Sequence, residues 1–180
     1  MNLRGRALVA SPYLSDPNFA RTVVYMVQHS EEGAVGLVLN RPLTVTVGRR
    51  LEDIVEQPVH CHQPLRWGGP VPGPLLMLHT FHVSKNVIGV ETEVAKIAAI
   101  CSDGLQDESR YRVFENYSGW GPGQVERELE EGGWLIWELN TEDIFSPCDA
   151  LWQRALRQIS REILSVTIDP SRIPEDPAYN

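Results

Sequence analysis

No run of 18 or more apolar residues occurs in this chain, so no membrane-spanning helix is expected. Cysteine is scarce: Cys61, Cys101 and Cys148 are widely spaced and odd in number, which excludes a disulfide framework and fits a reducing compartment. The opening Met1-Asn2-Leu3-Arg4-Gly5-Arg6 lacks the long apolar stretch and small-residue cleavage site of a secretory leader. A cytoplasmic location is the expectation. Internal repeats, linkers and low-complexity segments are also missing. Positive charge is short, with 16 Lys and Arg against 24 Asp and Glu and a net charge of −8. Residues 1–66 carry seven arginines against six acids, so the excess of acid lies in the remainder. Because phosphate neutralisation supplies most non-specific nucleic-acid affinity, this balance argues against direct nucleic-acid binding. It leaves room for a local positive patch around Arg41, Arg49, Arg50 and Arg66.

What is present reads as one soluble-type domain. The 180 residues are 42% hydrophobic and 22% charged, ordinary values for a chain that buries about 70% of its unfolded surface. Alternation and β-branching mark strands over 6–10, 22–29 and 35–40, the last two joined by the polar turn Ser30-Glu31-Glu32-Gly33. Thr46 can cap a helix whose apolar positions are Val47, Leu51, Ile54 and Val55, with Pro58 as its stop. Strands follow near 75–80 and 86–90, then a helix over 93–102 between Thr92 and Gly104. A strand over 110–117 leads through a glycine turn into a helix over 123–131, and Gly132-Gly133 releases a strand over 134–139. A last helix spans 148–159, burying Leu151, Trp152, Ala155, Leu156 and Ile159. The pattern predicts one α+β (mixed α/β) domain over 1–168 and a Pro-rich tail over 169–180.

Each candidate for chemistry has a plainer reading beside it. His60-x-His62 and His79-x-x-His82 offer four imidazoles, but no carboxylate or cysteine falls at a recognisable ligand spacing, so no metal is expected. His79 follows an apolar strand, where a hydrogen-bonded structural histidine is the commoner role. Ser118 lacks the first glycine of a nucleophile elbow. Gly68-Gly69-Pro70-Val71-Pro72-Gly73 fits neither a dinucleotide fingerprint nor a Walker loop, and its prolines remove backbone donors; a rigid turn accounts for it. No cofactor is expected. The acids Glu126, Glu128, Glu130 and Glu131 suit a solvated helix start, and Gln124 and Glu128 share a face with the glycine turn. Trp134 and Trp152 read as core anchors. Trp120, between two glycines, is divided between packing and lying over a groove.

Five ordered blocks then set the chain among known sequences. Leu8-Val9-Ala10-Ser11-Pro12 with Asp16-Pro17-Asn18-Phe19 forms the first, and Gly33 through Pro42, including Gly36, the second. Gly68-Gly69-Pro70-Val71 and Leu78-His79 make the third. Tyr117-Ser118-Gly119-Trp120-Gly121-Pro122-Gly123-Gln124 is the fourth, and Trp134-Leu135, Ile144-Phe145 and Leu151-Trp152 complete the series. Together they resemble the AlgH/YqgE-like family of bacterial proteins. Ser118 stands where the family usually has Ala and Val125 where it has Leu, and His60-Cys61-His62 has no evident counterpart. The resemblance implies a bifurcated, mostly antiparallel sheet forming a partial barrel flanked by helices. It implies no defined reaction. The leading expectation is a binding or regulatory protein with a protein or small-molecule ligand. Asn40, Arg41, His79, Trp120 and Gln124 would line its site, held by Gly36, Pro42, Gly68, Gly69, Pro70, Gly119 and Gly121. The alternatives are a transcriptional regulator acting indirectly, as some family names suggest, and a hydrolase-like enzyme pairing His79 with a carboxylate.

Overall fold

A computed structural model describes residues 2–81, 88–102 and 110–167. Nine strands and five helices occur among these residues. The strands are β1 (Ala7–Ala10), β2 (Val23–Ser30), β3 (Gly33–Val38), β4 (Pro42–Thr46), β5 (Pro64–Trp67), β6 (Val71–His79), β7 (Gly89–Glu91), β8 (Tyr111–Trp120) and β9 (Trp134–Trp137). The helices are α1 (Val47–Val55), α2 (Val94–Ser102), α3 (Gln124–Glu130), α4 (Thr141–Phe145) and α5 (Leu151–Thr167). Seven strands follow one path, β4-β5-β8-β3-β2-β1-β9, and β6 with β7 branches from β8. The sheet curls into a half-barrel, and every pairing is antiparallel except β5 with β8. The α+β, bifurcated architecture expected from the sequence is the one observed.

The fork lies along β8. Its first half pairs with β5 (Arg66↔Phe114, Trp67↔Glu115), and its end pairs with β3 (Gly36↔Ser118, Ala34↔Trp120). Between the two, Asn116 adopts φ 65° and bends the strand. The turn after β5 threads this bend. Gly68 N–H donates to Glu115 O, Gly68 O accepts from Val38 N–H, and Ser118 Oγ donates to the same carbonyl. Only glycine fits there. A β-carbon on Gly68 would come within 2.3 Å of Asn116 O, and one on Gly69, at φ +155°, within 2.3 Å of the Tyr117 carbonyl.

The fork divides the interior into three apolar clusters. One joins β1, β2, β3, β6 and β8 to α4 and α5; another lies under α1 and α2; the third fills the opposite face of β1–β2–β9 beneath α3. Several local expectations need correction. Helix α1 starts where Thr46 Oγ accepts from Arg49 N–H, but it stops at Glu56, whose φ of 55° is left-handed, before Pro58 is reached. Ile54, expected in its core face, is 41% exposed. Strand β6 begins earlier than Leu75 because a register shift between Val71 and Leu75 absorbs Pro72 and Pro74. Strands β4 and β5 were not anticipated, nor was α4, which Asn140 and Asp143 start with a reciprocal capping box. Helix α5 begins at Leu151 and runs to Thr167, beyond the expected 159. Gly104, residues 86–87 of the expected strand 86–90, and the tail 169–180 lie outside the described residues.

The fork yields a stability prediction. Gly69→Ala puts a methyl group into the Tyr117 carbonyl at a positive φ, and each of these costs on the order of 1–3 kcal/mol. Urea denaturation should show a loss of about 3 kcal/mol. A loss below about 1 kcal/mol would mean the junction can relax.

Candidate functional site

The sequence blocks meet in pairs. Asn40 Oδ1 accepts from Val23 N–H at 2.9 Å while its Nδ2 donates to Arg21 O at 2.9 Å. Arg41 Nη2 reaches Pro17 O and Ala20 O at 3.3 and 3.1 Å, and its guanidinium lies 5.5 Å from the Trp67 ring centroid. The second block therefore clasps the 16–22 loop of the first. In the same way, the Gly68-Gly69 turn is seated on Tyr117 and Ser118 of the fourth block.

Trp120 and Gln124 belong to a second cluster built around Glu128. The Trp120 and Trp134 indole N–H groups both donate to Glu128 Oε2, at 3.0 and 2.8 Å, and Gln124 Nε2 donates to Oε1 at 2.8 Å. Gln124 Oε1 accepts from Gly121 N–H at 3.0 Å and so closes the glycine turn before α3. Trp120 packs edge-on against Trp134 and stacks on Phe19. Packing is its main role, although its edge also borders an open concavity of about 390 Å³ with Gln28, Ser30, Glu32, Tyr117 and Gly119.

His79 is placed elsewhere, at the end of β6. Its Nδ1 accepts from Phe81 N–H at 3.2 Å, its ring stacks on Phe81, and Gly89 lies so close that a β-carbon there would be 2.3 Å from the imidazole. Glu91, the carboxylate close enough to act on it electrostatically, accepts from Thr92 and Glu93 N–H at 2.9 Å. These bonds hold the Glu91 carboxyl below its ordinary range. His82 lies outside the described residues. Among the described residues no group of three or more His, Cys, Asp and Glu is placed to hold a metal ion. The five residues singled out in the sequence thus border different parts of the surface.

A concave site does form beside Asn40. A cleft of about 230 Å³ is lined by Arg21, Asn40, Pro42, Cys148, Asp149 and Trp152 among others. A cavity of about 310 Å³ adjoins it and shares Pro42, Cys148 and Asp149. Its further walls are Pro64, Arg66, Arg112, Phe145 and Pro147. Arg66 and Arg112 are 4% and 2% exposed, extreme values for arginine. Both guanidiniums point at the α4–α5 turn. Arg66 Nη1 donates to Cys148 Sγ at 2.7 Å, Arg112 Nη1 lies 3.9 Å from the same sulfur, and Arg112 Nη2 donates to Ser146 O. The Cys148 thiol in turn donates to Leu39 O at 3.6 Å. Trp152 fixes the start of α5 by donating from Nε1 to Ala10 O at 2.7 Å, and the Arg21 guanidinium sits 6.0 Å from its ring.

Most of this cleft was hidden from sequence reading. The sequence leaves room for a local positive patch of Arg41, Arg49, Arg50 and Arg66, yet Arg49 pairs with Glu52 and Asp53 and Arg50 with Glu115, while Arg66 is buried. Cys148 is half-buried and bonded to a cation. Cys61 and Cys101 are buried beneath α1 and α2. They share hydrogen bonds with Tyr111 that draw the Cys61 thiol down, with Cys101 as the main donor. The same interaction with Cys61, aided by burial, drives Cys101 up.

Comparison with known proteins fits this geometry. The profile of the AlgH-like family matches residues 7–164. A UPF0301 protein from Streptomyces avermitilis is 35% identical over 99% of this chain and 96% of its own length. One from Vibrio vulnificus is 37% identical over 88% of this chain and 92% of its own. The solution structure of AlgH from Pseudomonas aeruginosa superposes with a TM-score of 0.70 at 27% identity, covering 100% of this chain and 97% of that one. A crystal structure of a Corynebacterium diphtheriae protein shares the fold, with a TM-score of 0.67 at 22% identity over 88% and 87% of the two chains. The site and fold are those of a forked-sheet α+β protein with no defined reaction. The chain belongs to the AlgH-like family, as its sequence blocks suggested.

The Glu128 cluster gives the second prediction. Glu128→Ala removes a charged acceptor from the indole N–H groups of Trp120 and Trp134, residues 6% and 3% exposed, and hydrogen bonds to charged groups contribute about 1.5–3 kcal/mol each. Equilibrium unfolding should show a loss of about 3 kcal/mol with a shift in tryptophan emission. Gln124→Ala should cost about 1 kcal/mol. Equal losses for the two variants would refute the central place given to the carboxylate.

Proposed function

We propose that this protein is a cytoplasmic ligand-binding regulatory domain, without a reaction of its own, whose small-molecule ligand enters the cleft beside Asn40 and Pro42. One observation carries the reading: two adjoining concavities share Pro42, Cys148 and Asp149, and charged and aromatic side chains from four separate segments converge on them. Concave sites with rigid apolar walls and a few convergent polar groups are the usual form of small-molecule sites. Asn40 and Arg41 act here through the 16–22 loop, which they hold against the cleft's edge. His79 is packed on Phe81 and Gly89, which favours a structural role over the acid–base role of the enzymatic alternative. That no helix among the described residues is long and apolar enough to cross a membrane agrees with the proposed location.

Asp149 is exposed on the shared rim, so Asp149→Trp should obstruct both concavities while leaving the fold intact. In a thermal-shift screen against a metabolite library, at least one compound should raise the Tm of the natural protein and leave that of the variant unchanged. Failure of every compound, or equal stabilisation of both proteins, would count against the reading. Any influence on transcription runs through other molecules, because the net charge of −8 opposes phosphate contact. Duplex DNA should show no salt-sensitive retention at physiological ionic strength, and a measurable complex there would overturn this part.

A further inference from the structure

We infer that Cys61 and Cys101 form a redox modification site, at which hydrogen peroxide oxidises Cys61 and Cys101 then closes a reversible disulfide with it. Neither thiol lines the concavities beside Asn40, so the pair is independent of the ligand reading.

The fold brings the two sulfurs together from separate elements. Cys61 lies in the segment between α1 and β5, and Cys101 stands in the last turn of α2. Both belong to the apolar cluster under those helices, where their side chains are hydrogen-bonded to each other. The backbone carrying Cys61 is held closely. Gly48 N–H donates to Cys61 O at 3.0 Å, and a β-carbon on Gly48 would come within 2.3 Å of Val59 O. Tyr111, at the start of β8, places its hydroxyl 3.6 Å from the Cys61 sulfur. The Gln63 backbone N–H is a further donor to that sulfur.

These contacts give the two thiols different tasks. The attacking species in such chemistry is the thiolate. With the Cys101 thiol as its main donor, Cys61 is drawn below the ordinary thiol range despite its burial. The same bond, aided by burial, pushes Cys101 up, so it keeps its proton. Cys61 is therefore the attacking sulfur and Cys101 the resolving one. The Cys61 sulfur attacks one peroxide oxygen: an S–O bond forms, the O–O bond breaks, and the departing hydroxide takes up the proton that Cys61 gave up. The Cys101 sulfur then attacks the Cys61 sulfur: the S–S bond forms, the S–O bond breaks, and water leaves with the Cys101 proton. Two thiols lose two electrons in all, and the peroxide becomes two waters.

Access suits a small oxidant. Cys61 and Cys101 are 2% and 0% exposed, which bars a bulky disulfide from either sulfur. His60 and His62, on either side of Cys61, are exposed, and residues 56–63 form no helix or strand. A local opening of this segment is enough to admit a molecule little larger than water. A disulfide of this kind is transient in a reducing compartment, unlike the framework that the cysteine spacing excludes.

Exposing the folded full chain to equimolar hydrogen peroxide, then quenching it with an alkylating reagent in urea, tests the site by mass spectrometry. The peptides holding Cys61 and Cys101 should appear joined, with two hydrogens lost, and dithiothreitol should separate them. In Cys101→Ser the sulfenic acid should persist at Cys61 and be trapped by dimedone, whereas in Cys61→Ser the Cys101 thiol should stay unmodified. Should either variant fail to fold, the cross-link in the natural chain still decides. Both thiols left free to alkylate, or a link to Cys148 in place of Cys101, would overturn the inference. So would a cross-link that forms only in protein unfolded before the peroxide is added.

Discussion

The seating of Gly68 and Gly69 against the bend of β8 is the contact on which the architecture depends. A strand in a simple sheet has two edges and two neighbours, whereas β8 serves three, because Asn116 redirects its hydrogen bonds halfway along. That redirection works only if the chain leaving β5 can pass within van der Waals contact of the β8 backbone. Any β-carbon at this crossing would overlap a carbonyl. Once the crossing is closed, its polar groups are satisfied in a tight set: Gly68 bonds Glu115, Val38 and Ser118. A buried backbone group left without such a partner would cost on the order of 1–3 kcal/mol. The serine at 118 supplies a bond to Gly68 O that alanine could not make.

The fork also explains where the cleft lies. Splitting the sheet sends β4 and β5 away from β3, and α4 and α5 pack against the β1–β2–β3 branch. The α4–α5 turn therefore faces the diverging β5, and a wedge remains between them. Ordinary apolar packing would fill such a wedge. Here it is crossed by two arginines that reach over to the turn, with prolines on either side. Because Arg66 stands on β5 and Arg112 on β8, their separation is set by the parallel ladder, so the cationic pair is preorganised by the backbone.

Legibility in the sequence followed the range of the physics involved. Period-2 alternation and local caps gave β1, β2, β3, β8, α1, α2 and α3, because those signals sit within ten residues. Strands β4 and β5 were invisible: five and four residues long, carrying Pro42 and Pro64, they acquire strand geometry only by pairing with each other and with β8. Helix α4 was missed although Asn140 and Asp143 form a full capping box, since five residues offer no hydrophobic period to notice. Among site residues, neither the clasp of Asn40, whose partners Val23 and Arg21 lie 17 and 19 residues away, nor the convergence of Arg66, Arg112 and Cys148, which are 46 and 36 residues apart and share no motif, was legible.

Charge placement separates two kinds of arginine in this fold. A cation's contribution depends on whether water and mobile counterions are kept from it. Arg49, 67% exposed along its side chain, pairs with acids one helical turn away and is screened by solvent. Arg66 and Arg112 are buried, and the Cys148 sulfur and the Ser146 carbonyl are among their partners. Removing a partner from a buried guanidinium costs far more than removing one from an exposed guanidinium. Arg49 therefore decorates a solvated helix, whereas Arg66 and Arg112 tie β5 and β8 to the α4–α5 turn and so fix the walls of the wedge.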